Sequence, residues 1–402
     1  MLWMAAKIPS DQFLLYAFDG VPDLGSAVAA LLVRAACPEL SVRVDDADAW
    51  RYPRWVPREP DDAAVVLHDG DSWARCLDRV GALAADQLDP QSRTWRMHLF
   101  PGVSQIPGVT QLGTVVVLQI SHVLGDGIRS SALAARLFGR DEPVPAAVPR
   151  RWGPPLLPLL AVRAAAAHRQ LMRDTEAGVV AAPAPSWPAQ RTNDRPTGPI
   201  GLRTIVRRRS QLPAPTVTVA VLAAVAEALA GELGERDLGA EVPMAKSGVR
   251  HANNHFGNVS VGLHAQLPSA QRAARIAADL AARRRRAAHP ATAAGDAAFA
   301  ATPAPLLRWG MAQFDPTARS STVGGNTVVS SVNRGAADLH FGDCPVVLTA
   351  GYPALSPMMG LTHGVHGIGD TVAISVHAAA SAVPDLNGYV QRLTAALDRS
   401  VP

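Results

Sequence analysis

Residues 113–122 hold an almost unbroken run of β-formers, Thr-Val-Val-Val-Leu-Gln-Ile at its centre, apolar enough to lie inside a sheet. The run leads directly into Ser121-His122-Val123-Leu124-Gly125-Asp126-Gly127, and residues 128–138 then show helical spacing. Around this unit the first part of the chain reads as mixed α/β. Helices are predicted over 23–36 and 72–87, the second with Leu77, Val80, Leu83 and Ala84 on one face. Strands are predicted over 42–44, 64–68 and 95–100. Between residues 144 and 187 the composition shifts to Pro, Ala and Arg, with one helix over 157–177. The remainder predicts helices over 216–233, 269–288 and 385–397, the last introduced by Pro384 and Asp385. Strands are predicted over 256–263, 326–332, 346–349 and 372–377. The division that follows is 1–148, a connection at 149–191, and 192–402.

Composition narrows the class. The 402 residues are 48% hydrophobic and 18% charged, which suits a packed globular chain with a large core. The net charge of +4 is modest and the aromatic residues are not interleaved with basic ones, so no nucleic-acid partner is expected. Cys37, Cys76 and Cys344 lie far apart, in neither disulfide nor metal spacing, which fits a reducing cytoplasm. No secretory leader is expected from the first residues, and no apolar run reaches the ~20 residues needed to span a bilayer. The apolar stretch at 154–167 leaves a peripheral place on the inner membrane face as the alternative location.

His122 is the candidate catalytic residue. A general base must be rigidly placed and near neutral in proton affinity, and an imidazole at the end of a buried strand meets both demands. Asp126, four residues on across a tight turn, is badly placed to relay protons. It is expected to lock the turn by binding an Arg or backbone N–H groups, with Gly127 permitting a close approach. Ser121 and His122 point to opposite faces of a strand, and no G-x-S-x-G elbow occurs, which argues against a Ser-His hydrolase.

Other groups are weaker. His251 and His255 are four apart, but their spacer reads as a loop, and no metal site is expected. His363 and His366 are expected on a half-buried strand or loop. The arginine runs at 207–209 and 283–286 could meet phosphate or simply face solvent. Gly324-Gly325 and the glycines at 367–369 lack nucleotide-binding spacing.

The ordered set of segments resembles the bacterial wax ester synthase/diacylglycerol acyltransferase family within the coenzyme A-dependent acyltransferase superfamily. The segments are Ser10-Asp11-Gln12-Phe13-Leu14, Trp95 with its strand, His122 to Gly127, and Asn193 with Gly198-Pro199-Ile200-Gly201. They continue with Gly257-Asn258-Val259-Ser260, residues 328–333, and Val383-Pro384-Asp385-Leu386 with the final helix. The departures are Ser121 where the family has a first histidine, Trp95 alone from Pro-Leu-Trp, and Thr218-Val219 in place of Asn-Asp.

The resemblance implies an α/β (α+β) fold of two chloramphenicol-acetyltransferase-like halves with mixed sheets and a tunnel between them. It implies transfer of an acyl group from acyl-CoA, a co-substrate and not a bound cofactor, to a hydroxyl acceptor, with His122 as base and Asp126 and Gly127 structural. Ser121, Trp95, Asn258 and Ser260 are its expected substrate or tunnel residues. The alternatives are a condensation-like enzyme whose donor is an acyl carrier protein, and a non-catalytic lipid or acyl binder.

Overall fold

The computed structural model describes residues 1–149 and 153–399. Its main elements, in chain order, are β1 (Gln12–Asp19), α1 (Leu24–Ala35), β2 (Val65–Leu67), α2 (Trp73–Leu83), β3 (Trp95–Ser104), β4 (Leu112–Ile120), α3 (Gly127–Leu137) and α4 (Leu157–Glu176). The chain continues with β5 (Ile200–Arg208), α5 (Val217–Leu233), β6 (Gly239–Ala245), β7 (Phe256–Gly262), α6 (Ser269–Ala287), α7 (Pro290–Ala300) and α8 (Ala304–Gln313). It closes with β8 (Thr327–Asn333), β9 (His340–Phe341), β10 (Cys344–Gly351), β11 (Leu361–Ile368), β12 (Thr371–Ala379) and α9 (Leu386–Asp398).

These strands form two mixed six-stranded sheets, in the orders β9-β10-β1-β4-β3-β2 and β7-β6-β8-β11-β12-β5. The mixed α/β class expected from the sequence is therefore present. Two strands, β9 and β10, cross between the parts of the chain. β10 runs antiparallel to β1, with Leu14 opposite Gly351 and Tyr16 opposite Thr349, so residues 344–351 complete the first sheet.

Three apolar cores hold the layers. On one face of the first sheet, Tyr16, Phe18, Met97 and Leu118 pack with Leu31 of α1 and Leu133 and Leu137 of α3. On the other face, Leu15, Phe100 and Val117 meet Cys76, Leu77 and Val80 of α2, and also Leu202 and Ala373 of the second sheet. The strict alternation of β1 and β4 assigns their side chains to these two cores. The third core packs α5, α6 and α9 on the second sheet through Val221, Leu229, Ile276, Ile374 and Leu393. α5 is buried nearly all round, which its unpatterned Ala/Val/Leu run anticipates.

Several elements escaped the sequence reading in whole or in part. β11 holds His363, Gly364, His366 and Gly367, a composition poor for a strand, yet every residue in it is buried between β8 and β12. Tertiary packing overrides propensity there. β1, β5 and β6 and the two helices α7 and α8 were also unread. His289 caps α7 by accepting the Ala291 N–H, and Pro290 fills its first position. Among the described residues, no helix is long and apolar enough to cross a membrane.

Candidate active site

The segment between β4 and α3 is a turn held from several sides. β1 lies beside β4 with Gln12 opposite Ile120. The Gln12 amide donates to the Gly125 carbonyl at 2.8 Å and to Ser130 Oγ at 3.0 Å, bracing the turn from below. Asp126 is the N-cap of α3, accepting the Arg129 N–H at 3.0 Å. Gly125 leaves room for Arg129, whose side chain would stand 2.7–2.8 Å from a β-carbon there. Arg129 itself donates from Nε to the Leu124 carbonyl and from Nη1 to the Pro145 carbonyl.

Asp126 also reaches across to the second part of the chain. Its Oδ2 accepts the Arg250 Nη1 at 2.9 Å and the His255 N–H at 2.8 Å, while Oδ1 accepts Arg250 Nη2 at 3.3 Å. Burial alone would push this carboxyl up. The N–H groups of Arg129 and His255 and the Arg250 guanidinium outweigh burial and hold it below the ordinary value. The expected locking partners, an Arg and backbone N–H groups, are thus the ones Asp126 has.

His122 is fixed by a second clamp from the same segment. Its Nδ1 lies 2.7 Å from Asn254 Oδ1, and the Asn254 amide donates to the His122 carbonyl at 2.7 Å. Phe256, at the start of β7, stacks on the ring with centroids 5.4 Å apart. With Nδ1–H donating to Asn254, the tautomer leaves Nε2 as the acceptor. Burial pushes the imidazole below its ordinary value, and the Asn254 bond and the Asp126 charge partly oppose that shift. Burial therefore favours the neutral form of the ring, the form in which Nε2 can accept a proton.

His122 is half-buried and lines a cavity of about 330 Å³ between the sheets. Gln12, Phe13, Phe256, Asn258, Ser331 and Arg334 are among its walls, so β1, β7 and β8 all contribute. A second, mostly apolar depression of about 320 Å³ adjoins it and shares Pro9, Phe13, Tyr352 and Ala354. Its outer wall includes Val80, Ala84, Ile200, Leu202 and Leu355.

The sequence-predicted residues divide. His122, Asp126, Gly127 and Asn258 all line the cavity, and Asn258 donates to Glu241 at 3.0 Å. Trp95 does not. It shares a strand face with Met97 and Leu99, which points it into the helix-covered core, and its Nε1 donates to the Leu40 carbonyl. Ser121 is 1% exposed and is not among the residues that line the cavity; the strand ends at Ile120, so strand alternation does not place it. Ser260 stands two residues beyond Asn258 along β7, about 7 Å further on, and lines a separate depression with Trp187 and His264.

The arginine runs are largely engaged within the fold. Arg207 pairs with Asp398, Arg283 donates to the Ala182 carbonyl, and Arg286 donates to Thr175 and the Ala181 carbonyl. His251 Nδ1 donates to the Val148 carbonyl, and the His255 backbone N–H donates to Asp126.

Asn254, Arg250, Phe256 and Gln12 were not anticipated as site residues. The first three sit in or beside the His251-to-His255 stretch, which the sequence offers only as a histidine spacing. Nothing local in it announces a partner more than a hundred residues away.

Two mixed six-stranded sheets with an imidazole in the cavity between them are the fold that this chain shares with the solved structures below. Residues 252–399 match the family model of the WS/DGAT C-terminal domain. The chain is similar in structure to the wax ester synthase/diacylglycerol acyltransferase from Marinobacter aquaeolei VT8, with 19% identity, TM-score 0.63, and coverage of 98% of this chain and 94% of that one. It is also similar to the first condensation domain of the calcium-dependent antibiotic synthetase, at 15% identity and TM-score 0.58, covering 100% and 95%. A third likeness is the starter condensation domain of rhizomide synthetase, in a mutant bound to C8-CoA and Leu-SNAC, at 15% identity and TM-score 0.57, covering 99% and 91%. No curated protein matches the chain. The family resemblance read from the sequence is borne out, and the family match supports an acyltransferase.

Proposed function

We propose that this protein is an O-acyltransferase that moves an acyl group from an acyl-CoA thioester to a hydroxyl acceptor, with His122 as the general base. The observation that carries this reading is the Asn254 clamp, which leaves Nε2 of a neutral, buried-side imidazole facing the cavity. In the reaction, Nε2 takes the proton of the acceptor hydroxyl as its oxygen attacks the thioester carbonyl carbon. The tetrahedral intermediate expels the coenzyme A sulfur as the C–S bond breaks. The imidazolium returns its proton to that sulfur, giving free thiol and ester. Residues 1–148 and 192–402 act as the two halves around this cavity, with 149–191 as their connection. The apolar depression, which shares Pro9, Phe13, Tyr352 and Ala354 with the His122 cavity, takes the alkyl chain. Asn258 and the polar cavity wall steady the substrate.

Condensation domains among the structural likenesses favour one second reading, in which the donor thioester is carried by an acyl carrier protein. Incubation with a panel of acyl-CoAs and alcohols, including diacylglycerol, with thiol release and product mass as readouts, tests the first reading. The same acyl groups on a carrier protein test the second. Turnover that persists in His122→Ala would overturn the base assignment.

A further inference from the structure

Arg334, immediately after β8, is a buried cation with no carboxylate partner among the described residues. It is 5% exposed and lines the His122 cavity. Its Nη1 donates to the Leu15 carbonyl and to Thr349 Oγ1, and the guanidinium carbon sits 4.9 Å from the centre of the Tyr16 ring. Its Nε has no acceptor. The two carboxylates that line the same cavity are committed elsewhere. Asp11 accepts from the Leu88 N–H and the Gln119 amide, and Asp126 is paired with Arg250. A buried guanidinium with open donors and no carboxylate is costly, so its retention beside a substrate cavity asks for a ligand.

His366 stands next to it. It is also 5% exposed, lines the same cavity, and has an Nδ1 without a partner. The two side chains converge over Gly351. A β-carbon at that position would lie 2.8 Å from His366 Nε2 and 3.0 Å from Arg334 Nη2. The glycine keeps this corner open, and position 351 itself lines the cavity.

We propose that Arg334 and His366 form an anion subsite that selects a hydroxyl acceptor carrying a single oxyanion head group, a carboxylate or a phosphate monoester. The proposal rests on the acyl-transfer reading for the word acceptor. The guanidinium fork suits two oxygens of one anion. At 5% exposure the guanidinium leaves room for a small head group. The neutral imidazole adds one further donor. The sequence around it, Ser330-Ser331-Val332-Asn333-Arg334-Gly335, gives no sign of this, because an arginine at a strand end reads as a solvated charge.

Equilibrium binding by calorimetry, without any donor, tests the subsite independently of turnover. The probes are ω-hydroxydodecanoate, ω-hydroxydodecyl phosphate and the corresponding neutral diol. The wild-type protein should bind at least one of the two anions about tenfold or more tightly than the diol. Arg334→Met should erase that preference while leaving diol binding within about twofold. Whichever anion binds more tightly identifies the head group. Should Arg334→Met not fold, as judged by its melting curve, Gly351→Ala serves: the added carbon should weaken the anions and spare the diol. Equal affinity for diol and both anions in the wild type, or equal loss of all probes in a folded variant, would overturn the subsite. Because no acyl transfer is read, a silent turnover panel would sink the catalytic reading and leave this result standing.

Discussion

Nδ1 of His122 and Oδ1 of Asn254 lie 2.7 Å apart although the two residues are separated by 132 positions. The same asparagine returns a bond to the His122 carbonyl, so ring and backbone are held by one side chain. Asn254 therefore fixes both the tautomer and the direction of the imidazole. It is neutral, so its bond raises the proton affinity of the ring less than a carboxylate would.

Asn254→Ala should lower kcat roughly ten- to a hundredfold, because the base loses its orientation. Asn254→Asp separates positioning from packing. The new carboxylate favours the imidazolium, so the acid limb of the pH–rate profile should move up by about one unit or more. In the wild type, burial lowers the His122 proton affinity, so activity should persist to lower pH than for an ordinary histidine. A pH–rate profile unmoved in Asn254→Asp would remove Asn254 from the positioning role.

Asp126 and Arg250 form a paired latch with side chains 5% and 13% exposed. Either Asp126→Asn or Arg250→Met should destabilise the fold by about 3–5 kcal/mol, since each strands a buried charge or donor. The double variant should lose clearly less than the sum of the two. Urea unfolding of all four proteins measures this, and strict additivity would show that the two residues do not act as a pair.

Acid should weaken the fold through its buried histidines. Burial pushes His98 down to about 4, His363 to about 3 and His377 to about 4. Each binds a proton more readily when unfolded, so their stabilising effect is complete above the ordinary value near 6.5. It is lost as pH falls from there through about 4 for His98 and His377 and about 3 for His363. His363→Phe, which removes one contributor and its bond to Tyr389, should flatten part of that slope in denaturant titrations at stepped pH.

The wall shared by the two depressions sets a width. Ala354→Phe should fill the junction bounded by Pro9, Phe13 and Tyr352. Long acyl donors should then lose turnover more than short ones. A uniform fall across chain lengths would show that the alkyl chain takes another path.

The local pattern was legible where one segment contains its own explanation. The strand before His122, the helix after Gly127 and the Asp-Gly turn between them all follow from residues 113–138. Asp126 as a lock was also readable, because a carboxylate at that place must either cap the helix or find a cation. β11 was readable only as a half-buried strand or loop, since glycines and histidines make a fully buried strand only when β8 and β12 supply its hydrogen bonds on both sides. Trp95 was misplaced as a tunnel residue because the sequence gives the alternation of its strand but not which face is covered by helices.

By itself, then, the chain determined the α/β class, the order of most elements, the base candidate and the role of its aspartate, all of which depend on neighbours within a few turns. Tertiary structure alone decided that Asn254 and Arg250 complete the site, that residues 344–351 join the first sheet, and that Arg334 faces His366 across Gly351. Each of these is a contact between segments far apart in sequence, and such contacts arise from packing two sheets together, which no local periodicity encodes.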